Sequence, residues 1–138
     1  MAVGGVTRWP MWRRLFGSQA ERSAAAFLRK AGYKVIARNV RLHCGEIDIV
    51  AVDGEVIVIA EVRSTESGDV SRPAESVDFA KQKKLSELAL AYLQKHRLLG
   101  RTCRFDVLAV SWPAGAKEPV IEHFINAFES IGRFQMFS

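Results

Sequence analysis

Residues 46–63 read Glu-Ile-Asp-Ile-Val-Ala-Val-Asp-Gly-Glu-Val-Ile-Val-Ile-Ala-Glu-Val-Arg, carboxylates set into two otherwise apolar runs. A carboxylate within an apolar strand is costly unless something pairs with it. A hard divalent cation, bound through oxygen, suits such a cluster. The chemistry this points to is metal-dependent phosphodiester hydrolysis, or the remnant of a site that once performed it.

Spacing supplies a first geometry. Asp53-Gly54 between apolar runs signals a two-residue hairpin loop, because its turn positions favour φ > 0. With Asp53 and Gly54 as the loop, Val52 faces Glu55, Glu46 faces Glu61 and Asp48 faces Ile59. Alternation then puts Glu46, Asp48 and Val50 on one face, with Ile57, Ile59, Glu61 and Arg63 on the matching one. Asp48 and Glu61 become diagonal neighbours, roughly 7–8 Å apart, close enough to share one metal. A slip of one residue would separate them onto opposite faces.

Other residues admit two readings each. Glu21 completes the capping box Ser18-Gln19-Ala20-Glu21, or opens the buried stripe Glu21, Ala24, Ala25, Leu28 and leans over a sheet. Glu46, at a strand start, suits the surface as well as a site. Arg63 neutralises carboxylates as a plain ion pair, or holds a phosphate and the charge that builds on it during transfer. Lys83 and Lys84 read as a solvated face. Lys81, four residues before Leu85, lies on the inward stripe and could reach the site. Asp106 has the same buried-strand surroundings as Asp48 but no partner in sequence, and reads as structural.

The elements that must position these groups follow from period and punctuation. Residues 1–17, with Arg8, Arg13, Arg14 and three aromatics, read as an extended, poorly ordered basic arm. A helix is expected from the Ser18 cap to about Ala31, stopped by Gly32. Strands are expected at Tyr33–Asn39, 46–52 and 55–63, then a loop over 64–77. Asp78 caps a second helix to about Arg97, ended by Gly100, with the stripe Leu85, Leu88, Ala89, Tyr92, Leu93. Strands Arg104–Val110 and Val120–Phe124 follow, with 128–138 a tail. This is α/β with a mixed sheet in the order α-β-β-β-α-β-β: a meander, then a helical crossover.

Composition bounds the rest. A chain of 138 residues is most simply one domain, here residues 18–127, and that size buries about two-thirds of its unfolded surface. Twenty Lys+Arg against fifteen Asp+Glu give a net charge of +5, which favours a polyanionic partner such as nucleic acid. Two cysteines, Cys44 and Cys103, make neither a disulfide framework nor a zinc site and read as reduced thiols. No apolar run has the ~18 residues a membrane span needs. The N-terminal residues lack the apolar core and cleavage site of a signal peptide, so a cytoplasmic location is expected.

The ordered set of motifs carries a family resemblance. Asp48, twelve residues, then Glu61-Val62-Arg63 resembles the bipartite motif of the restriction-endonuclease-like superfamily, Asp on the second strand and Glu-x-Lys on the third. The wider text is closer still to the YraN-like family of small bacterial proteins. It comprises Gln19-Ala20-Glu21, Gly32-Tyr33, Ala37-Arg38-Asn39, Gly45-Glu46-Ile47-Asp48-Ile49, Ala60-Glu61-Val62, Lys81-Gln82-Lys83, Ala91-Tyr92-Leu93 and Arg104-Phe105-Asp106-Val107. The resemblance spans residues 17–127. It implies a three-layer α/β/α nuclease-like core similar to archaeal Holliday-junction resolvases. It further implies Mg²⁺ (or Mn²⁺) on Glu21, Asp48 and Glu61, and a homodimer that makes two symmetric cuts. Arg38, Arg41, Lys81, Lys83 and Lys84 are the expected DNA contacts. One departure stands out: Arg63 replaces the family's lysine, and Thr65 its second basic residue. Arg stays protonated and substitutes poorly for a lysine that positions or activates water. Arg63 does that task more slowly, Lys81 takes it over, or the chain binds nucleic acid without cutting.

Overall fold

Small and branched apolar residues recur along one face of the first helix and on both faces of the sheet. In the computed structural model, which describes residues 11–65 and 77–131, two helices cover the two faces of one five-stranded sheet. The elements are α1 (Met11–Lys30), β1 (Lys34–Leu42), β2 (Gly45–Asp53), β3 (Val56–Thr65), α2 (Phe79–Lys95), β4 (Cys103–Ser111) and β5 (Val120–Phe128). The strands lie side by side in chain order. All neighbours are antiparallel except β3 and β4, which are parallel and joined through α2.

Each face has its own core. Ala20, Ala24, Ala25 and Leu28 of α1 pack on Ile49, Ala51, Val58, Ala60, Leu108 and Val110. Three alanines let the helix approach the sheet closely, and burying Leu28 contributes about 2 kcal/mol. On the other face Leu85, Leu88, Ala89, Tyr92 and Leu93 of α2 meet Ile47, Val50, Ile57, Ile59, Phe105 and Val107. The fold is therefore the expected α/β/α arrangement, with β3 and β4 buried on both faces.

Several boundaries differ from expectation. α1 begins at Met11, so Ser18 lies within the helix and residues 11–17 are helical, not an extended arm. Met11, Arg13, Arg14 and Leu15 are good helix formers, and each added residue gains a hydrogen bond, so the helix extends through the Ser18 signal. Residues 1–10 of the expected arm lie outside the described residues. β1 runs on to Leu42, β3 through Thr65 and β5 to Phe128, each longer than its apolar run, because a ladder partner is present. The rest of the loop expected over 64–77 falls at 66–76, outside the described residues, as does the tail from 132. Asp78 does cap α2, its carboxylate accepting the Lys81 N–H at 2.9 Å, while the helix closes at Lys95, with Arg97 left-handed beyond it.

A carboxylate and cation cluster as the candidate active site

The β2–β3 hairpin decides where Asp48 and Glu61 meet. Its loop is Gly54-Glu55, not Asp53-Gly54: Asp53 pairs with Val56 and Ile49 with Ala60. Of the turn residues only Gly54 has positive φ (+63°), as a II′ turn requires. Asp53, outside the loop, pairs with Arg104 at 3.0 Å. The register moves by two, which preserves the faces of the paired residues from Ile49 on. Continued one step past the last pair, Ile49 with Ala60, it sets Asp48 opposite Glu61 instead of diagonal to it, while the expected common face of Glu46, Asp48 and Val50 is not kept. There the backbone ladder stops. The Val62 N–H donates to the Asp48 carboxylate at 2.8 Å, so a side chain takes the place of a strand carbonyl. Alternation breaks at the same point: Ile47 and Val50 share the α2-side core, while Ile49 and Ala51 share the other.

β1 is irregular opposite this point. Arg38 pairs with Ile49 and Val40 with Ile47, so Asn39 faces Asp48, with its backbone in the left-handed region at φ +52°. Successive strand residues normally point to opposite faces. Here Arg38 reaches the Glu21 carboxylate by its Nη2 at 3.6 Å, and the Asn39 side chain also favours the charged form of Glu21. Glu21 is 8% exposed and comes from the buried stripe of α1. Asn39 is the residue that sequence reasoning passed over. Its signal was an asparagine, poor in strands yet tolerant of the left-handed region, inside an otherwise strand-like run.

Cations surround the carboxylates. Arg63 Nε lies 3.3 Å and Lys81 Nζ 3.5 Å from the same oxygen of Glu61. The Arg63 contact is an ion pair without hydrogen-bond alignment, and the buried Nε atoms of Arg38 and Arg63 have no hydrogen-bond acceptor. Asp48 is pushed up to about 7, first by burial and then by the neighbouring Glu61 charge; Val62 N–H and Lys81 oppose this. Burial also raises Glu21, against the pull of Arg38. The centre of the cluster is thus short of positive charge even with three cations around it.

The structure brings together Glu21, Asp48, Glu61, Arg38, Arg63 and Lys81. Arg41 instead pairs with Glu46 at 3.3 Å on the surface, and Lys83 and Lys84 are exposed on α2. Asp106 belongs elsewhere. Wholly buried, it accepts from Arg104 Nε (3.0 Å), His123 Nε2 (2.7 Å) and the Asn126 N–H (2.9 Å), and Arg104 goes on to the Tyr33 hydroxyl at 2.7 Å. That network ties β4, β5 and the hairpin end together, and Asp106 has no acceptor capacity left for chemistry.

The donors of the cluster are carboxylate oxygens from three elements, a set that suits Mg²⁺ or Mn²⁺ rather than a softer metal. Glu61, however, is turned to Arg63 and Lys81, and among the described residues no three metal-binding side chains stand close enough to share one ion. The residue types suit such a metal by chemistry, although their present placement does not make a site for one among the described residues.

The fold and cluster define an α/β/α domain whose polar centre lies where two strands part. Residues 20–110 match the model of the uncharacterised protein family UPF0102, and the chain belongs to that family. It is 50% identical over 100 residues to a UPF0102 protein of Moorella thermoacetica, covering 72% of this chain and 83% of that one. A UPF0102 protein of Geobacter metallireducens is 42% identical over 113 residues, covering 82% and 91%. Among solved structures, SfsA of Pyrococcus furiosus in complex with Ca²⁺ aligns with a TM-score of 0.35 at 14% identity, covering 83% of this chain and 64% of that chain. Among the described residues no helix is long and apolar enough to cross a membrane.

Proposed function

We propose that this chain is a Mg²⁺- or Mn²⁺-dependent DNA endonuclease that acts on branched or processed DNA in the cytoplasm. The observation that carries the reading is that the Asp48 carboxylate feels the charges of Glu61 and Glu21, the three coming from three elements, with Arg38, Arg63 and Lys81 paired to those glutamates. Glu21, Asp48 and Glu61 would hold the metal. Bound there, it would lower the pKa of a water and offset the charge developing on phosphorus. Arg38 and Arg63 have buried N–H donors awaiting an acceptor, and a phosphodiester supplies acceptor oxygens. Arg63 remains charged and serves as an electrostatic clamp. Lys81, on the first turn of α2, is left to orient the attacking water. Cutting both arms of a symmetric junction would call for two copies of the chain.

A second reading has its own support. With Arg63 in the lysine position and Glu61 paired to two cations, the same surface suits a DNA-binding module that does not cut. Labelled four-way junction, flap, single-stranded and duplex DNA, incubated in Mg²⁺ and then Mn²⁺ with Glu61→Ala as control, separates the two. Metal-dependent cuts lost in the control support the nuclease. Salt-sensitive retention without cuts in either metal supports the binding module.

A further inference from the structure

The described residues hold two centres of charge, and the two are put together differently. Around Asp106 the contacts are hydrogen bonds: Arg104 Nε at 3.0 Å and Nη2 at 3.2 Å, His123 Nε2 at 2.7 Å and the Asn126 N–H at 2.9 Å. Around the glutamates of the cluster the cations stand farther off. Arg63 Nε and Lys81 Nζ lie 3.3 and 3.5 Å from one oxygen of Glu61, and Arg38 Nη2 lies 3.6 Å from Glu21. Those distances exceed the about 2.7–2.9 Å of a charge-assisted hydrogen bond. The buried Nε atoms of Arg38 and Arg63 have no acceptor. These pairs therefore neutralise charge while leaving donors unused. The Glu61 side chain is 12% exposed, against 33% for Arg63 and 40% for Lys81, so the carboxylate lies inside and its two cations extend from it toward solvent.

We propose that Glu61 is an internal anion that competes with a nucleic-acid phosphodiester for Arg63 and Lys81. Glu61 offers both cations the same oxygen, and at distances where charge acts without direction. A phosphodiester arriving from solvent brings two free oxygens. It can give the Arg63 guanidinium and the Lys81 ammonium an acceptor each, with direction as well as charge. Arg63 projects from β3 and Lys81 from the first turn of α2, so the exchange turns two long side chains and leaves the backbone in place. The Asp106 centre, with its donors already used, has no such exchange open to it. The proposal rests on the reading of the cluster as a phosphodiester site, which the cutting and the non-cutting function share. Its consequence is that the chain's own carboxylate holds down its affinity for DNA.

The test is the affinity of the full chain and of Glu61→Gln for fluorescent duplex and four-way-junction DNA, by anisotropy in EDTA at one fixed low salt concentration. Glu61→Gln keeps the shape of the side chain and removes its charge, and a urea midpoint for each variant shows that it is folded. Glu46→Gln is the control, because it removes the same charge from an exposed carboxylate paired with Arg41 at 3.3 Å, where solvent already screens the pair. Glu61→Gln is expected to bind about three- to tenfold more tightly than the parent, the range for releasing two partly exposed pairs, and Glu46→Gln to gain less. In a Lys81→Ala background the gain from Glu61→Gln should shrink, since one of the two contested cations is gone. A gain no larger than that of Glu46→Gln, or one undiminished by Lys81→Ala, overturns the proposal. If neither the parent nor Glu61→Gln binds either DNA, the phosphodiester reading fails and the competition with it. Metal-dependent cutting by the parent beside an unchanged affinity of Glu61→Gln overturns the competition alone and leaves the nuclease reading standing.

Discussion

Asp48 is expected to destabilise the fold it serves. Its carboxyl moves from an ordinary 3.8 to about 7 because burial and the Glu61 charge disfavour its ionised form in the folded chain. Below pH ~3.8 the group is neutral folded and unfolded, so it costs nothing. As pH rises, the unfolded chain ionises first, and the folded state loses relative stability until the folded group also ionises, near pH 7. A displacement of about 3 pH units at about 1.4 kcal/mol each sets a ceiling of ~4 kcal/mol. Asp48 is partly exposed, which reduces this to about 1–3 kcal/mol. Asp48→Asn keeps an oxygen to accept the Val62 N–H while removing the charge. Urea unfolding between pH 4 and 8.5 should therefore show the variant nearly equal to the parent at pH 4 and more stable by about 1–3 kcal/mol above pH 7.5, with unchanged m. A variant less stable at pH 8, or a difference that does not vary with pH, would refute the reasoning.

The other buried aspartate behaves in the opposite way. Hydrogen bonds from His123, Arg104 and the Asn126 N–H outweigh burial and hold Asp106 below the usual carboxylate range, so its contribution is present at neutral pH and fades as pH falls through that lowered value. Asp106→Ala, which strands Arg104 and His123, should cost about 3–5 kcal/mol in urea unfolding at pH 7. Burial pushes the Cys103 thiol up to about 12, while Cys44 is only half-buried; a thiol reagent should modify Cys44 in the native protein and Cys103 only after unfolding. If the cluster cuts DNA, Lys81→Ala should lower the rate about 100-fold or more in single-turnover assays, and Arg63→Lys should preserve or raise it. Equal rates for Lys81→Ala and the parent would remove Lys81 from the chemistry.

Much of this architecture was legible in the sequence because it depends on local pattern. The stripe of α1 offered Glu21 a place against the sheet, Asp78 capped α2, and apolar runs marked the strands. The α-β-β-β-α-β-β order and the mixed sheet followed from those elements and from the need for a crossover. The partnership of Asp48 with Glu61 was also visible, although through the wrong turn. Asp53-Gly54 has the composition of a hairpin loop, yet the loop is Gly54-Glu55, and Asp53, paired with Val56, reaches Arg104 at 3.0 Å, a contact from a distant strand.

What the tertiary structure alone decided lies at the two places where strands depart from regularity. Nothing in the run around Asp48 announces that the ladder stops there and that a side chain takes over the Val62 N–H. Nothing beside Asn39 announces a left-handed residue facing it. Both are consequences of packing three strands and a helix around buried carboxylates, whose cost depends on distances that no single segment contains. The sequence by itself determined which residues could do chemistry, since residue type is a local property, while period failed to give their faces where alternation breaks at Asp48. Their meeting in one charge-poor centre, and the assignment of Asp106 to structure instead, were decided by contacts between residues far apart in the chain.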